Sequence, residues 1–175
     1  MRTSVLLVLF IVLLSGCKSF APFTDAMRTQ NGWGEREVKR IQFYTSDAIV
    51  LRHDLARNET SIQSGRIKTI DGRRVEEVVI PARTPGVVVE ALEDGRLAVS
   101  FEISDRYYLT FGVNPGRGDR YFLLAKSWRN KVGRVTYNNR IYQAVSSSAD
   151  AHLLVNMKRI RKLQKEERVA RGRKL

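Results

Sequence analysis

Apolar and polar residues alternate in short runs through the middle of the chain, and turn formers interrupt them about every 8 to 12 positions. The runs lie near Ile41 to Thr45, Ile49 to Asp54, Arg66 to Ile70, Arg74 to Ile80, Gly86 to Ala91, Arg96 to Ile103 and Tyr107 to Val113. Others follow near Tyr121 to Ala125, Gly133 to Tyr137 and Arg140 to Val145. They are rich in Val, Ile, Tyr and Phe, which suit a pleated, half-buried surface, so each predicts a strand. Asp71-Gly72 and Asp94-Gly95 predict type I′ hairpin turns, and Asn138-Asn139 can take positive φ at both positions. Leu97, Val99, Phe101 and Ile103 point one way and Ala98, Ser100, Glu102 and Ser104 the other; Tyr107, Leu109, Phe111 and Val113 repeat the pattern after Asp105-Arg106. The pattern predicts a mainly β fold, a single small antiparallel β-barrel or sandwich. The barrel is preferred because closure removes exposed edges.

The two ends read differently. Ser19 to Trp33 holds Pro22, Asn31 and Gly32 and predicts a tether with a short helical turn around Thr24 to Thr29. Gly34 to Arg40 has acids first and bases last, which suits one or two turns of helix. In the C-terminal part, Leu154, Met157, Ile160 and Leu163 stand at helical spacing, whereas Leu153, Val155 and Met157 alternate as a strand does. The favoured expectation is a strand over Leu153 to Ile160 that completes the sheet, with the rest loosely ordered.

Composition narrows the class. The 175 residues are 43% hydrophobic and 28% charged, with one cysteine. That excludes a multidomain machine, a disordered chain and a disulfide scaffold. Met1 and Arg2 precede an apolar run from Val5 to Leu14, and Ser15, Gly16 and Cys17 follow before any acidic residue appears. This is the plan of a secretory signal, with an apolar stretch too short to span a bilayer comfortably. Leu14-Ser15-Gly16-Cys17 resembles the lipobox of bacterial lipoproteins. The resemblance implies cleavage before Cys17 and acylation of that cysteine, and it uses the only cysteine of the chain. Lys18, rather than aspartate, follows it; by the same resemblance the protein is sorted to the outer membrane, and because Lys18-Ser19-Phe20 lack the acidic run that some lineages use for surface export, a periplasm-facing domain is expected. The organisation expected is a signal peptide over 1–16, a tether over 17–33, a β domain over 34–157 and a basic segment over 158–175.

Candidates for catalysis are few. His53-Asp54 resembles the His-Asp pair of metal-dependent phosphohydrolases, but those enzymes carry it on helices with further histidines, and the other histidine here is His152. Glu76 and Glu77 are neighbours on a strand and point to opposite faces, so they form no acid/base pair; one solvated carboxylate and one paired with an arginine are expected. No serine lies in a Gly-x-Ser-x-Gly elbow, and no glycine-rich phosphate loop occurs. Arg117-Gly118-Asp119 resembles the adhesion tripeptide of integrin ligands, yet its glycines are explained by a wide turn. Trp33 and Trp128 read as core or rim residues rather than sugar-stacking platforms. Neither a metal nor a cofactor is expected.

Charge is the remaining signal. The chain carries a formal +13, and its last 18 residues hold nine bases (Lys158, Arg159, Arg161, Lys162, Lys165, Arg168, Arg171, Arg173 and Lys174) against Glu166 and Glu167. Such a run is either a solvated tail or a surface for anions. In a bacterial envelope the partner would be anionic lipid, lipopolysaccharide or an envelope protein; export argues against nucleic acid. The expectation is a non-enzymatic accessory, scaffold or binding module held on the membrane through Cys17. The competing reading is an envelope enzyme acting on cell-wall or lipid substrates.

Overall fold

The computed structural model describes residues 19–56 and 65–167. Among them, thirteen strands form two antiparallel sheets. The first runs in the order β1 (Phe20–Pro22), β13 (Leu153–Asn156), β2 (Phe43–Thr45), β6 (Pro85–Ala91), β7 (Leu97–Ser100), β8 (Tyr108–Val113) and β9 (Tyr121–Leu123). The second runs β10 (Trp128–Arg129), β11 (Val132–Tyr137), β12 (Arg140–Val145), β3 (Ile49–Asp54), β5 (Arg73–Ile80) and β4 (Arg66–Ile70). The expected turn chemistry holds at two hairpins. Asp71 (φ 49°) and Gly72 (φ 74°) join β4 to β5, and Asn138 (φ 47°) and Asn139 (φ 58°) join β11 to β12, positive at both central positions as type I′ requires. Asp94-Gly95 differs. Only Gly95 is left-handed (φ 85°), and its N–H donates to Leu92 O at 2.9 Å, so this hairpin has a longer loop that ends on a glycine.

The fold is mainly β and sandwich-like, and the preferred barrel is not what forms, because neither sheet closes. The nearest approach to closure is at β9, which returns to the other end of its sheet through isolated bridges, Thr24 to Arg120 and Phe122 to His152. No ladder can grow there: the chain turns into a helix straight after Thr24, and a 3₁₀ turn (Ser146–Asp150) ends just before Ala151. Side chains of both sheets share one core, among them Leu97, Leu109 and Phe111 from the first and Leu51, Val78 and Tyr142 from the second.

The segment expected as a tether is part of this domain. Phe20, Ala21 and Pro22 pair with Asn156, Val155 and Leu154. Phe23 is fully buried, edge-on to Phe43 at 5.0 Å and 4.9 Å from Tyr121. Helix α1 (Asp25–Gln30) follows, its N-terminus capped by Thr24 Oγ1, which accepts from Met27 N at 3.0 Å. Arg28 then fixes α1 across the core by donating to Gly95 O at 2.7 Å, to Tyr121 Oη at 3.1 Å and to Trp33 O at 3.1 Å. The second predicted helix is α2 (Glu35–Val38), where Glu37 reaches back to accept from Gly34 N. A folding unit that began at residue 34 would therefore lack an edge strand and the rings of Phe23 and Trp33.

Expectations about faces and about the C-terminal end change: Val113, expected in the core, is exposed, and Ala98 and Ser100, expected on the opposite face from Leu97 and Val99, are buried as well. β7 ends at Ser100, whose hydroxyl lies 3.1 Å from the carbonyls of both Glu102 and Ser104, so the chain folds over that side chain instead of continuing the strand. Ile103, expected in the core, is fully exposed, and Phe101 is half-buried. At the C-terminal end the strand stops at Asn156, and Met157–Glu167 form helix α3 rather than more strand or loose chain. Asn156 makes the switch: its Oδ1 accepts from Lys158 N at 3.0 Å and from Arg159 N at 3.4 Å. Ile160 is buried, and Met157 and Leu163 pack beside it against the core.

Candidate functional site

The basic helix and the start of the described chain meet. Met157 N, in the first turn of α3, donates to Ser19 O at 2.9 Å. Cys17, like Arg168, Arg171, Arg173 and Lys174, lies outside the described residues. Lys158, Arg159, Arg161, Lys162 and Lys165 are all exposed on α3, while Ile160 anchors its opposite side. Gln164 Nε2 ties the helix to α1 by donating to Asn31 Oδ1 at 2.6 Å.

Between α3 and the segment leading into β2 lies a cleft of about 500 Å³ bordered by Arg40, Gln42, Asn156, Arg159 and Lys162, with no carboxylate among the described residues that line it. Sequence reasoning missed Arg40 and Gln42. Their signal was absent because 116 positions separate Arg40 from Asn156; only the pairing of β2 with β13 brings them together. Among the described residues no helix is long and apolar enough to cross a membrane.

The positions weighed for catalysis are occupied by structural work. Glu76 and Glu77 do point to opposite faces, but neither is solvated. Glu77 lies on the outer face of the second sheet, 2.5 Å from Lys68 Nζ and 2.9 Å from Arg52 Nε. The hydrogen bond from Lys68, then that from Arg52, holds its carboxyl below the usual carboxylate range, which makes it a poor base. Glu76 faces inward, where Tyr142 donates to it at 3.1 Å and Arg140 stands 3.6 Å away. His53 Nδ1 is 2.8 Å from Ile141 O, and no group of three metal-ligating side chains forms among the described residues. Arg117 donates to Ala149 O and Asp150 and lies over the Phe122 ring, so that arginine staples a loop. Trp33 is buried and Trp128 half-buried, so the pair forms no shared platform.

His152 gives a pH prediction. Burial first, then the charges of Arg120 and Arg117, push its imidazole below the ordinary value of 6.5. The folded state therefore binds this proton less readily than the unfolded chain. Its contribution to stability is fully present above pH 6.5 and is lost as pH falls from there through the lowered folded value. The urea midpoint should fall between neutral and mildly acidic pH, and His152→Gln should flatten that dependence. An unchanged slope in the variant would refute the assignment.

The arrangement defines a class: a mainly β domain with a basic helix at the corner where its chain enters. No family model, curated protein or solved structure matches this chain.

Proposed function

We propose that the chain is a lipid-anchored lipoprotein of the bacterial outer membrane, facing the periplasm. It acts there as a non-enzymatic binding or scaffold module for an anionic or protein partner. The observation that carries this reading is the hydrogen bond between Ser19 and Met157, which sets the first turn of the basic helix beside the chain that leads to Cys17. An acyl group on Cys17 contributes about 0.8 kcal/mol per buried methylene, so two or three chains make a durable anchor. The pairing of β1 from Phe20 onward supports an anchor close to α3 rather than at the end of a long leash.

The test is Cys17→Ser, expressed in a bacterium fed a labelled fatty acid. We expect an uncut precursor that retains residues 1–16 and carries no label. Normal cleavage and labelling of the variant would overturn the reading. Purification of the acylated wild type from cross-linked membranes would then identify the partner.

A further inference from the structure

We infer that the outer face of β1–β13–β2, together with the exposed side of α3, is the surface that the domain lays on an anionic bilayer. The inference rests on the lipoprotein reading for the position of the anchor and goes beyond it in fixing which face meets the lipid.

The register defines that face. Paired residues of antiparallel strands share a side of the sheet. Ala21, Val155 and Phe43 are in register and point to the core, where Val155 and Phe43 are fully buried. Phe20, with its partner Asn156, and Tyr44, with its partner Leu154, therefore point outward. Across β13 the Phe20 and Tyr44 rings meet edge to face at 4.8 Å, and the Arg83 guanidinium lies 4.6 Å from the centre of the Phe20 ring. Arg83 holds a positive φ of 66° and donates its N–H to Thr45 O at 2.9 Å, so its backbone is pinned at the end of β2. At the other end of the same ladder stand Arg40, Arg159 and Lys162 around the cleft.

The chemistry fits one occupant. Tyrosine, an apolar ring with a polar hydroxyl, settles at the level of lipid headgroups, as Tyr44 can here with Phe20 as apolar area beside it. Cations beside them meet phosphates, and each basic residue near an anionic surface shifts the balance between docked and free domain about fivefold. At physiological ionic strength, screening acts over roughly 8 Å, so only charges in contact keep that effect. Arg83 lies over the aromatic pair, the other three cations border the cleft at Asn156, the partner of Phe20, and the chain to the anchor leaves from the residue next to Phe20. A bilayer that holds the anchor is thus already within reach of this face, whereas a soluble anion would gain nothing from the aromatic pair.

The test uses the full acylated chain in vesicles that contain a headgroup-labelled quencher lipid. A fluorophore is placed at Lys165→Cys, exposed on α3, or at Ile141→Cys, exposed on the outer face of the second sheet. In vesicles of phosphatidylcholine with phosphatidylglycerol, the label at 165 should be quenched strongly and the label at 141 weakly. High salt, or phosphatidylcholine alone, should narrow the difference. The combined Arg40→Gln, Arg83→Gln and Arg159→Gln variant should lower the docked-to-free ratio by about fivefold per charge removed. Equal quenching at both positions, or a difference unaffected by the variant, would overturn the inference. The mass of the same sample reports acylation of Cys17 separately. An acylated chain with equal quenching refutes this docking face and leaves the lipoprotein reading standing. An unacylated chain still quenched at 165 does the reverse.

Discussion

Phe111→Ala should destabilise the domain by about 3 to 5 kcal/mol, the largest loss expected from any single core truncation near the β7–β8 hairpin. Phe111 is fully buried in the middle of β8, in register with Leu97 on one side and Leu123 on the other, so its ring packs within the shared core and the sheet around it cannot collapse into the space. For a domain of this size the loss corresponds to roughly 10 °C in melting temperature. Phe101 meets the Phe111 ring at 6.0 Å but sits beyond the end of β7 and is half-buried. Its ring fills the space over Gly86, where a Cβ would come within 2.6 Å of it. Phe101→Ala should therefore cost less than half as much. Ile103→Ala, at a fully exposed position, should stay within about 0.5 kcal/mol of wild type. Urea unfolding of the three variants checks the order; equal losses at 101 and 111 would mean that the strand does not end at Ser100.

That order shows what the pattern of the chain could and could not reveal. The alternation of Leu97 to Ile103 reads as one continuous strand, and the break at Ser100 comes from a side-chain hydroxyl bonding forward to its own loop, which no periodicity encodes. β1 was illegible because a three-residue strand ending on proline becomes a strand only by pairing with a segment about 130 positions away. β10 was hidden by its turn: Asn130 and Lys131 both take positive φ, and lysine is no turn signal. The C-terminal segment is the instructive case, since both of its periodicities were real. Leu153 and Val155 alternate within β13, and Met157, Ile160 and Leu163 keep helical spacing within α3, with Asn156 as the boundary. Closure was misjudged because it depends on strand order, a tertiary property. Of the candidate site, the bases of α3 were legible as a charge run, whereas Arg40, Arg83 and the aromatic pair joined them only through sheet register.

Glu76→Leu should cost about 3 to 5 kcal/mol, while Glu77→Leu should cost only about 1 kcal/mol, although the two carboxylates are adjacent and both buried. The difference lies in where their partners can go. Lys68 and Arg52, which hold Glu77, keep 54% and 35% of their side chains exposed, so both cations return to water when the carboxylate is removed. Arg140, beside Glu76, is 22% exposed, and Tyr142, which donates to Glu76, is fully buried. Tyr142 in turn meets Tyr137 edge-on at 5.9 Å, and Tyr137 donates to Glu102, just past the end of β7 in the first sheet. Burial and the bond to Glu102 push the Tyr137 phenol far above its usual range, which keeps it a donor at every accessible pH. Removal of Glu76 takes a charge partner from Arg140 and leaves the buried Tyr142 hydroxyl facing a leucine, and that penalty, rather than the lost attraction, sets the magnitude. The double variant Glu76→Leu with Arg140→Met should recover part of the loss, since a buried pair replaced by apolar residues is often neutral, whereas the Tyr142 hydroxyl still faces the leucine. Urea unfolding of the four chains (wild type, both single variants at 76 and 140, and the double) closes the cycle. A double variant as unstable as Glu76→Leu alone would show that Arg140 already reaches water and that the carboxylate is needed by Tyr142.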